Sequence, residues 1–256
     1  MTTDIALSLQ NISLSYGGLR ILKNVSFDVG HNEVIGLIGP NGAGKSALLN
    51  CISRVYHPAP ESEISILGKQ GFLKIPTHDI AKHGLSRTFQ GLQLSPNLTV
   101  AENIAVGLSS KLHRGAMHSL FRPRHFAREE AHARHEVRRI AASCGVSDVL
   151  DQYSRQLPLG VLRRVDLARA LISSPSVLLL DEPASGLARE ERPLIAELIR
   201  VARQNHDVTV VWVEHDLDLV FSQADRVVVL RDGAVAAIAR PDVAEERQSL
   251  ISAYYN

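Results

Sequence analysis

The run Gly39-Pro40-Asn41-Gly42-Ala43-Gly44-Lys45-Ser46 has the residue types and spacing of a loop that wraps phosphate: Gly, four free positions, Gly-Lys, then a hydroxyl. Its glycines let the backbone turn tightly, so that several N–H groups converge on phosphate oxygens. Lys45 adds a mobile point charge for the outer phosphates. Ser46 adds a hydroxyl for Mg²⁺, a hard cation that prefers oxygen ligands. A helix starting at Gly44 would turn its positive end toward the same anion. An ordinary Gly-rich turn could carry similar letters, but its flanks would not fit. Here residues 33–38 read as a buried strand and 47–52 as a helix.

Cleaving a nucleotide also needs a metal, a positioned water and stabilisation of the transferred phosphoryl group. Asp181 ends the apolar run 176–180, on the side where ligands collect in parallel sheets. It could hold Mg²⁺ directly or through water, and Glu182 could polarise the attacking water. A solvated acidic pair at a strand end is the plainer reading. It weakens beside a phosphate loop and an apolar strand. Gln90 and His215 each follow a candidate strand. A glutamine can ligate Mg²⁺ or water, and a histidine can hold a γ-phosphate oxygen. Taken alone, each is more often an ordinary polar residue. Tyr16, at the turn with Gly17 and Gly18, could be a turn aromatic or could stack on a base.

The elements around these residues alternate. Residues 5–29 read as two strands, 61–67 as another, and Pro76 opens a short helix to about residue 82. Residues 85–90 read as a strand ending on the glutamine, 91–98 as a loop and 99–106 as a short helix. Between 107 and 145 arginines are dense and histidines stand at 113, 118, 125, 132 and 135. Residues 124–142 resemble an exposed helix with charge on most faces. His132 and His135 lie one turn apart and could bind a metal. A solvated basic helix is favoured, because no Cys or carboxylate cluster joins them. Helices are expected at 161–172, 190–204, 217–223 and 242–255. Strands are expected at 176–180 and 208–213, with a hairpin of 226–230 and 234–238 around Asp232-Gly233.

The composition sets outer bounds. The chain has 256 residues, 45% of them hydrophobic, enough for one large core. Its 28 basic and 27 acidic residues balance, which argues against a polyanion-binding surface, so no nucleic-acid partner is expected. Cys51 and Cys144 supply no disulfide framework and suit a reducing compartment. No basic segment followed by an apolar one opens the chain, so no signal peptide is expected. No apolar run approaches the roughly 20 residues of a membrane span. A soluble chain is expected, with any membrane role coming through a partner.

In this order, Tyr16, residues 39–46, Gln90, 178–182 and His215 resemble the ATPase subunit of an ABC transporter along nearly the whole chain. The resemblance implies an α/β fold: a P-loop NTPase core with an N-terminal antiparallel β subdomain and an inserted α-helical subdomain. One domain would span 1–256, with the β subdomain and core at about 1–90 and 173–256 and the helical subdomain at about 91–172. ATP and Mg²⁺ are the implied cofactors. Tyr16 would stack on adenine, and Gly39, Pro40, Asn41, Gly42, Ala43, Gly44, Lys45 and Ser46 would form Walker A. Gln90 would be the Q-loop glutamine, Asp181 the metal-holding end of Walker B, Glu182 the catalytic carboxylate and His215 the switch histidine. Ser46, Gln90 and Asp181 would face the metal.

Residues 84–90, 98–103, the insertion with 121–124 and 127–130, the segment 163–170 and the end at 252–255 resemble the ATPases of branched-chain amino acid importers. Relatives in that group carry other amino acids, urea or short amides. The implied partners are a second ATPase subunit, two membrane permeases contacted through 91–107, and a periplasmic or extracellular substrate-binding protein. The implied place is peripheral, on the cytoplasmic face of the cell membrane. The pattern departs from the family at Leu157-Pro158-Leu159-Gly160-Val161, where Leu-Ser-Gly-Gly-Gln or Leu-Pro-Tyr-Gly-Gln is usual. Gly160 remains, as the contact to a partner's ATP. Ala188 stands where the following loop usually ends in Asp or Asn. Both changes fall on the half offered to a partner, so a non-identical partner is expected. The rival readings are a soluble ABC protein of ribosomes or DNA, a low-turnover ATP-gated subunit, and an exporter of another cargo. A single phosphate loop without heptads disfavours the first, and the insertion disfavours the last.

Overall fold

A computed structural model of the chain describes residues 4–110 and 123–255. Strands β1 (Ile5–Tyr16) and β2 (Leu19–Gly30) pair antiparallel, and β4 (Glu63–Ile66) pairs with the other edge of β1. The β1–β2 turn is Gly17-Gly18, with φ of 57° and 83°. A two-residue turn that keeps both positions at positive φ matches the twist of the strands, and glycine meets that demand without strain.

The second sheet has six strands in the order β5 (Leu85–Arg87), β6 (Val177–Asp181), β7 (Thr209–Val213), β3 (Val34–Ile38), β8 (Arg226–Arg231) and β9 (Ala234–Ala239). All neighbours run parallel except β8 and β9. Every residue of β3, β6 and β7 is buried, as expected where both faces of a parallel sheet are covered. Period-two alternation divides those faces. Val177, Leu179, Val211 and Val213 join a core with the small sheet and α1 (Lys45–Ile52). Leu178, Leu180, Val210 and Trp212 join a second core with four helices. These are α2 (Val100–Val106), α3 (Pro123–Ser143), α4 (Leu159–Leu171) and α5 (Arg192–His206). In the chain, α2, α3 and α4 lie between β5 and β6. A small third core holds α6 (Leu217–Phe221) and α7 (Ala244–Tyr255) near β8 and β9.

Two sequence expectations change in detail. The strand expected at 85–90 ends at Arg87. β5 is an edge strand paired only with β6, and the chain leaves the sheet there, so Gln90 lies on a loop. The basic helix is present as α3 but is not solvated all round. Val137, Ile140 and Ala141, at i, i+3 and i+4, are buried against the second core. His132 and His135 are exposed on it. The histidines at 113 and 118 and the motif residues 121 and 122 lie outside the described residues. Among the described residues, no helix is long and apolar enough to cross a membrane.

Parallel topology gathers the site. The C-terminal ends of β3, β6 and β7 lie side by side, with β7 in the middle. The three segments leaving them carry the phosphate loop, Asp181-Glu182 and Glu214-His215. Loops at one end of a parallel sheet are where such folds bind ligands.

Candidate functional site

Local backbone geometry begins the site. Gly39 has φ 154° and passes so close to β8 that a Cβ would lie 2.1 Å from the Leu230 carbonyl oxygen. Gly44 caps α1 with φ 101°, and a Cβ there would lie 2.8 Å from Leu22 Cδ2. Side chains larger than hydrogen would open the loop at either point. Lys45 then folds back over it: its Nζ donates to the carbonyls of Gly39 at 2.7 Å and Pro40 at 3.0 Å. Burial holds its ammonium below the ordinary lysine value, while the negative charges of Glu182 and Asp181 pull it back up.

A cavity of about 270 Å³ opens above the loop. Asn41, Gly42, Ala43, Gly44, Lys45 and Ser46 line it from below, and Glu182 and His215 line it from the other side. Glu182 has φ 49°, a left-handed conformation uncommon for a residue with a side chain. Its amide still donates to the Val213 carbonyl at 3.0 Å, so the twist comes at the end of the ladder and re-aims the side chain. Oε1 of Glu182 meets His215 Nε2 at 2.5 Å, and Oε2 accepts from Gln90 Nε2 at 2.9 Å. Two residues, 92 and 33 positions away from Glu182, therefore converge on its carboxylate.

Asp181 is buried at the end of β6. Its Oδ2 accepts from Arg87 Nη2 at 2.8 Å, while Oδ1 is buried without a hydrogen-bond partner among the described residues. Buried polar atoms normally find partners, so an orphaned carboxylate oxygen suits the role of a cation ligand. An exposed Ser46 hydroxyl, a carboxylate and an amide oxygen form the hard, oxygen-rich set that Mg²⁺ favours.

Two expected site residues lie apart from this cluster. Tyr16 is 79% exposed at the tip of the β1–β2 hairpin and does not line the cavity; Ile21, from the same hairpin, does. Gly160 is buried in the first turn of α4. A Cβ on it would lie 2.8 Å from Oε1 of Glu191, so that carboxylate packs against the bare Cα. Pro158 heads the helix without a side-chain cap.

Sequence reading missed four residues. Arg87 stands between Leu85 and Phe89 at the sheet edge, and a charge there was a signal that a buried partner waits. Arg163 is at i+3 from Gly160 and i−4 from Leu167, on the buried stripe of α4. Glu214 is buried and its carboxylate accepts from the amides of Ala184 at 2.8 Å and His215 at 3.2 Å. Burial raises its pKa above the usual carboxylate range, while the two amide hydrogen bonds act the other way. Glu191 carried no signal in the sequence.

A phosphate loop facing a histidine-bound carboxylate at one end of a parallel sheet defines a nucleotide-cleaving cassette. Residues 22–185 match the family described as ABC transporter. The chain is 32% identical over 248 residues to the high-affinity branched-chain amino acid transport ATP-binding protein BraF of Pseudomonas aeruginosa, covering 97% of this chain and 96% of that one. The same figures hold for the protein LivG of Escherichia coli K12, of the same description. A crystal structure of a nucleotide-free ATP-binding cassette from an ABC transporter superposes with a TM-score of 0.80 at 28% identity, covering 97% of this chain and 95% of that one. The chain belongs to the ABC transporter family and is an ATP-binding, ATP-hydrolysing subunit.

Proposed function

We propose that the chain powers an importer of branched-chain or related amino acids, by holding the phosphates of ATP in the 270 Å³ cavity and hydrolysing the nucleotide there. The observation that carries this reading is the convergence of Gln90 and His215 on Glu182, across the cavity from Lys45. Lys45 binds the outer phosphates through its ammonium, and the loop amides and the start of α1 hold the rest. Glu182 orients and deprotonates the attacking water through its carboxylate. His215 holds that carboxylate in place through Nε2 and lines the cavity opposite the phosphate loop, where it can meet a γ-phosphate oxygen. Ser46, Gln90 and Asp181 would hold Mg²⁺ through their oxygens, and the ion would supply charge neutralisation when bound. Tyr16 stacks on the adenine from the hairpin tip.

The cargo class follows from the two relatives named above, and urea or a short amide is the alternative. In the assembly, two permeases take up the face around residues 91–107, with a substrate-binding protein outside, and the chain stays peripheral on the cytoplasmic face. The boundaries near residues 90 and 172 separate the helical part from the core. A second ATPase subunit of different sequence is the partner. Pro158 offers no hydroxyl to a partner's γ-phosphate, Val161 offers no polar group, and the Glu191 carboxylate beside Gly160 repels one. The test is Lys45→Ala on the isolated subunit with nucleotide affinity as readout; affinity like wild type removes the Walker A assignment. Uptake of leucine, isoleucine and valine by the reconstituted complex, against urea and short amides, decides the cargo.

A further inference from the structure

Arg163 lies in α4, three residues beyond Gly160, and is only 8% exposed. Its Nη1 donates to the main-chain carbonyl of Gln90 at 3.0 Å, and its Nη2 donates to the carbonyl of Ser185 at 3.0 Å. The two carbonyls belong to different loops. One loop carries Gln90, and the other leaves Glu182. Further along the same helix, Arg169 Nη1 donates to the Gln93 carbonyl at 2.6 Å, while its Nη2 pairs with the buried Asp166 at 2.5 Å. α4 thus grips the 90–93 loop at two points and the 182–187 loop at one. From the other side, the buried Glu214 accepts from the amide of Ala184. The stretch after Glu182 is held between a cation on one carbonyl and an anion on the neighbouring amide.

The choice of acceptors is informative. Asp166, Glu214 and Glu182 all act on Arg163 electrostatically, yet both of its hydrogen bonds go to neutral main-chain oxygens. Its Nε has no partner among the described residues. An arginine paired for its own stability would turn its fork on a carboxylate. This one spans two loops instead, a task that suits a rigid planar fork and not a single ammonium. Arg163 does not line the nucleotide cavity.

We propose that Arg163 is a positioning residue for hydrolysis: it ties α4 to the Gln90 loop and the Glu182 loop together, so that a shift of α4 reaches both at once. On the proposed reading that Gly160, at the start of α4, faces a second ATPase subunit, the tie reports closure of that interface to the water-activating carboxylate. The inference rests on the reading of Glu182 as the catalytic carboxylate.

The experiment compares Arg163→Lys and Arg163→Gln with wild type in the assembled transporter. Loss of one charge-assisted hydrogen bond corresponds to about a tenfold fall in rate. The expected result is a kcat at least tenfold lower in Arg163→Gln and clearly lower in Arg163→Lys, with KM for ATP and nucleotide affinity within about twofold. Amide exchange should rise at residues 90–93 and 183–188 and stay unchanged in α1. Arg163→Lys keeps the buried cation, so it carries the test if the glutamine variant does not fold. Wild-type kcat in Arg163→Lys, or a fall in kcat matched by an equal loss of nucleotide affinity, overturns the proposal. Glu182→Gln, assayed alongside, reports on the catalytic assignment separately. Turnover near wild type there removes that assignment, whereas the Arg163 result is read from its own split between kcat and KM.

Discussion

Arg87 and Asp181 form a buried ion pair, Nη2 to Oδ2 at 2.8 Å, with side chains 5% and 6% exposed. Arg87 also donates from Nη1 to Asn50 Oδ1 and Ser53 Oγ, both at 2.7 Å. Asn50 belongs to α1 and Ser53 caps its end, so one guanidinium joins the helix behind the phosphate loop to the Asp181 carboxylate. The pair fixes Asp181 by one oxygen and leaves the other, Oδ1, free for a cation.

Arg87→Met should therefore leave a buried carboxylate without its counter-charge. Breaking one half of a buried pair costs about 3–5 kcal/mol, which for a chain of this size lowers Tm by on the order of 10 °C. Adding Asp181→Asn removes the stranded charge and should recover much of that loss. Thermal unfolding of the single and double variants checks this. An unchanged Tm in Arg87→Met would show that the pair contributes little.

Glu182→Gln should keep ATP binding and lose turnover. The amide preserves shape but cannot take a proton from water, so turnover should drop roughly 10²- to 10⁴-fold. Glu182 lines the cavity beside Lys45, and removing its negative charge should leave affinity for an anionic nucleotide equal or tighter. Nucleotide-trapped dimers should accumulate. Turnover near wild type would assign the water-activating role elsewhere.

Tyr16 is the exposed ring at the hairpin tip. Base–aromatic stacking contributes about 1–3 kcal/mol. Tyr16→Ala should accordingly weaken ATP binding by about tenfold or more, and Tyr16→Phe should not. Titration of both variants with ATP checks this, and equal losses would point to the phenol hydroxyl.

Much of the fold was legible because it rests on local signals. The apolar runs of β6 and β7 read as buried strands, and Asp232-Gly233 read as a hairpin turn, where the structure has φ of 48° and 79°. Lys45, Glu182, Gln90 and His215 were legible as a set because strand ends in a parallel sheet point to one place. Their mutual contacts were not, since no local rule says that Glu182 takes a left-handed backbone and turns toward Gln90 and His215. Arg163 and Glu214 were invisible for a related reason, and the charge at Arg87 signalled a buried partner without saying which. Each acts through a long-range contact with a main-chain group or a buried charge, and sequence spacing does not encode which loop will lie opposite. The buried face of α3 was overlooked because Val137, Ile140 and Ala141 are few among many charges.

The last expectation concerns asymmetry between the two ATPase subunits. In an ABC dimer the signature of one chain closes over the ATP held by the other. Here α4 starts with Pro158 at its cap and no side-chain hydrogen bond, and the Glu191 carboxylate packs on Gly160. A γ-phosphate approaching that turn from a partner loses a hydroxyl donor and meets a negative charge. Loss of a hydrogen bond to a charged group costs roughly 1.5–3 kcal/mol, enough to slow closure about tenfold or more. The opposing effect is the helix start itself, whose backbone donors and dipole attract anions without any side chain. Repulsion from the Glu191 carboxylate beside Gly160 opposes that attraction, and solvent weakens it because Glu191 is exposed. A homodimer would carry the defect in both sites. A heterodimer with an intact partner signature would carry it in one, and this chain's own ATP would sit in the competent site. Glu182→Gln in this chain should therefore reduce transport more than the matching change in the partner. The measurement is transport by the reconstituted complex with each variant in turn. Equal losses, or an active homodimer of this chain alone, would remove the asymmetry and leave the family assignment untouched.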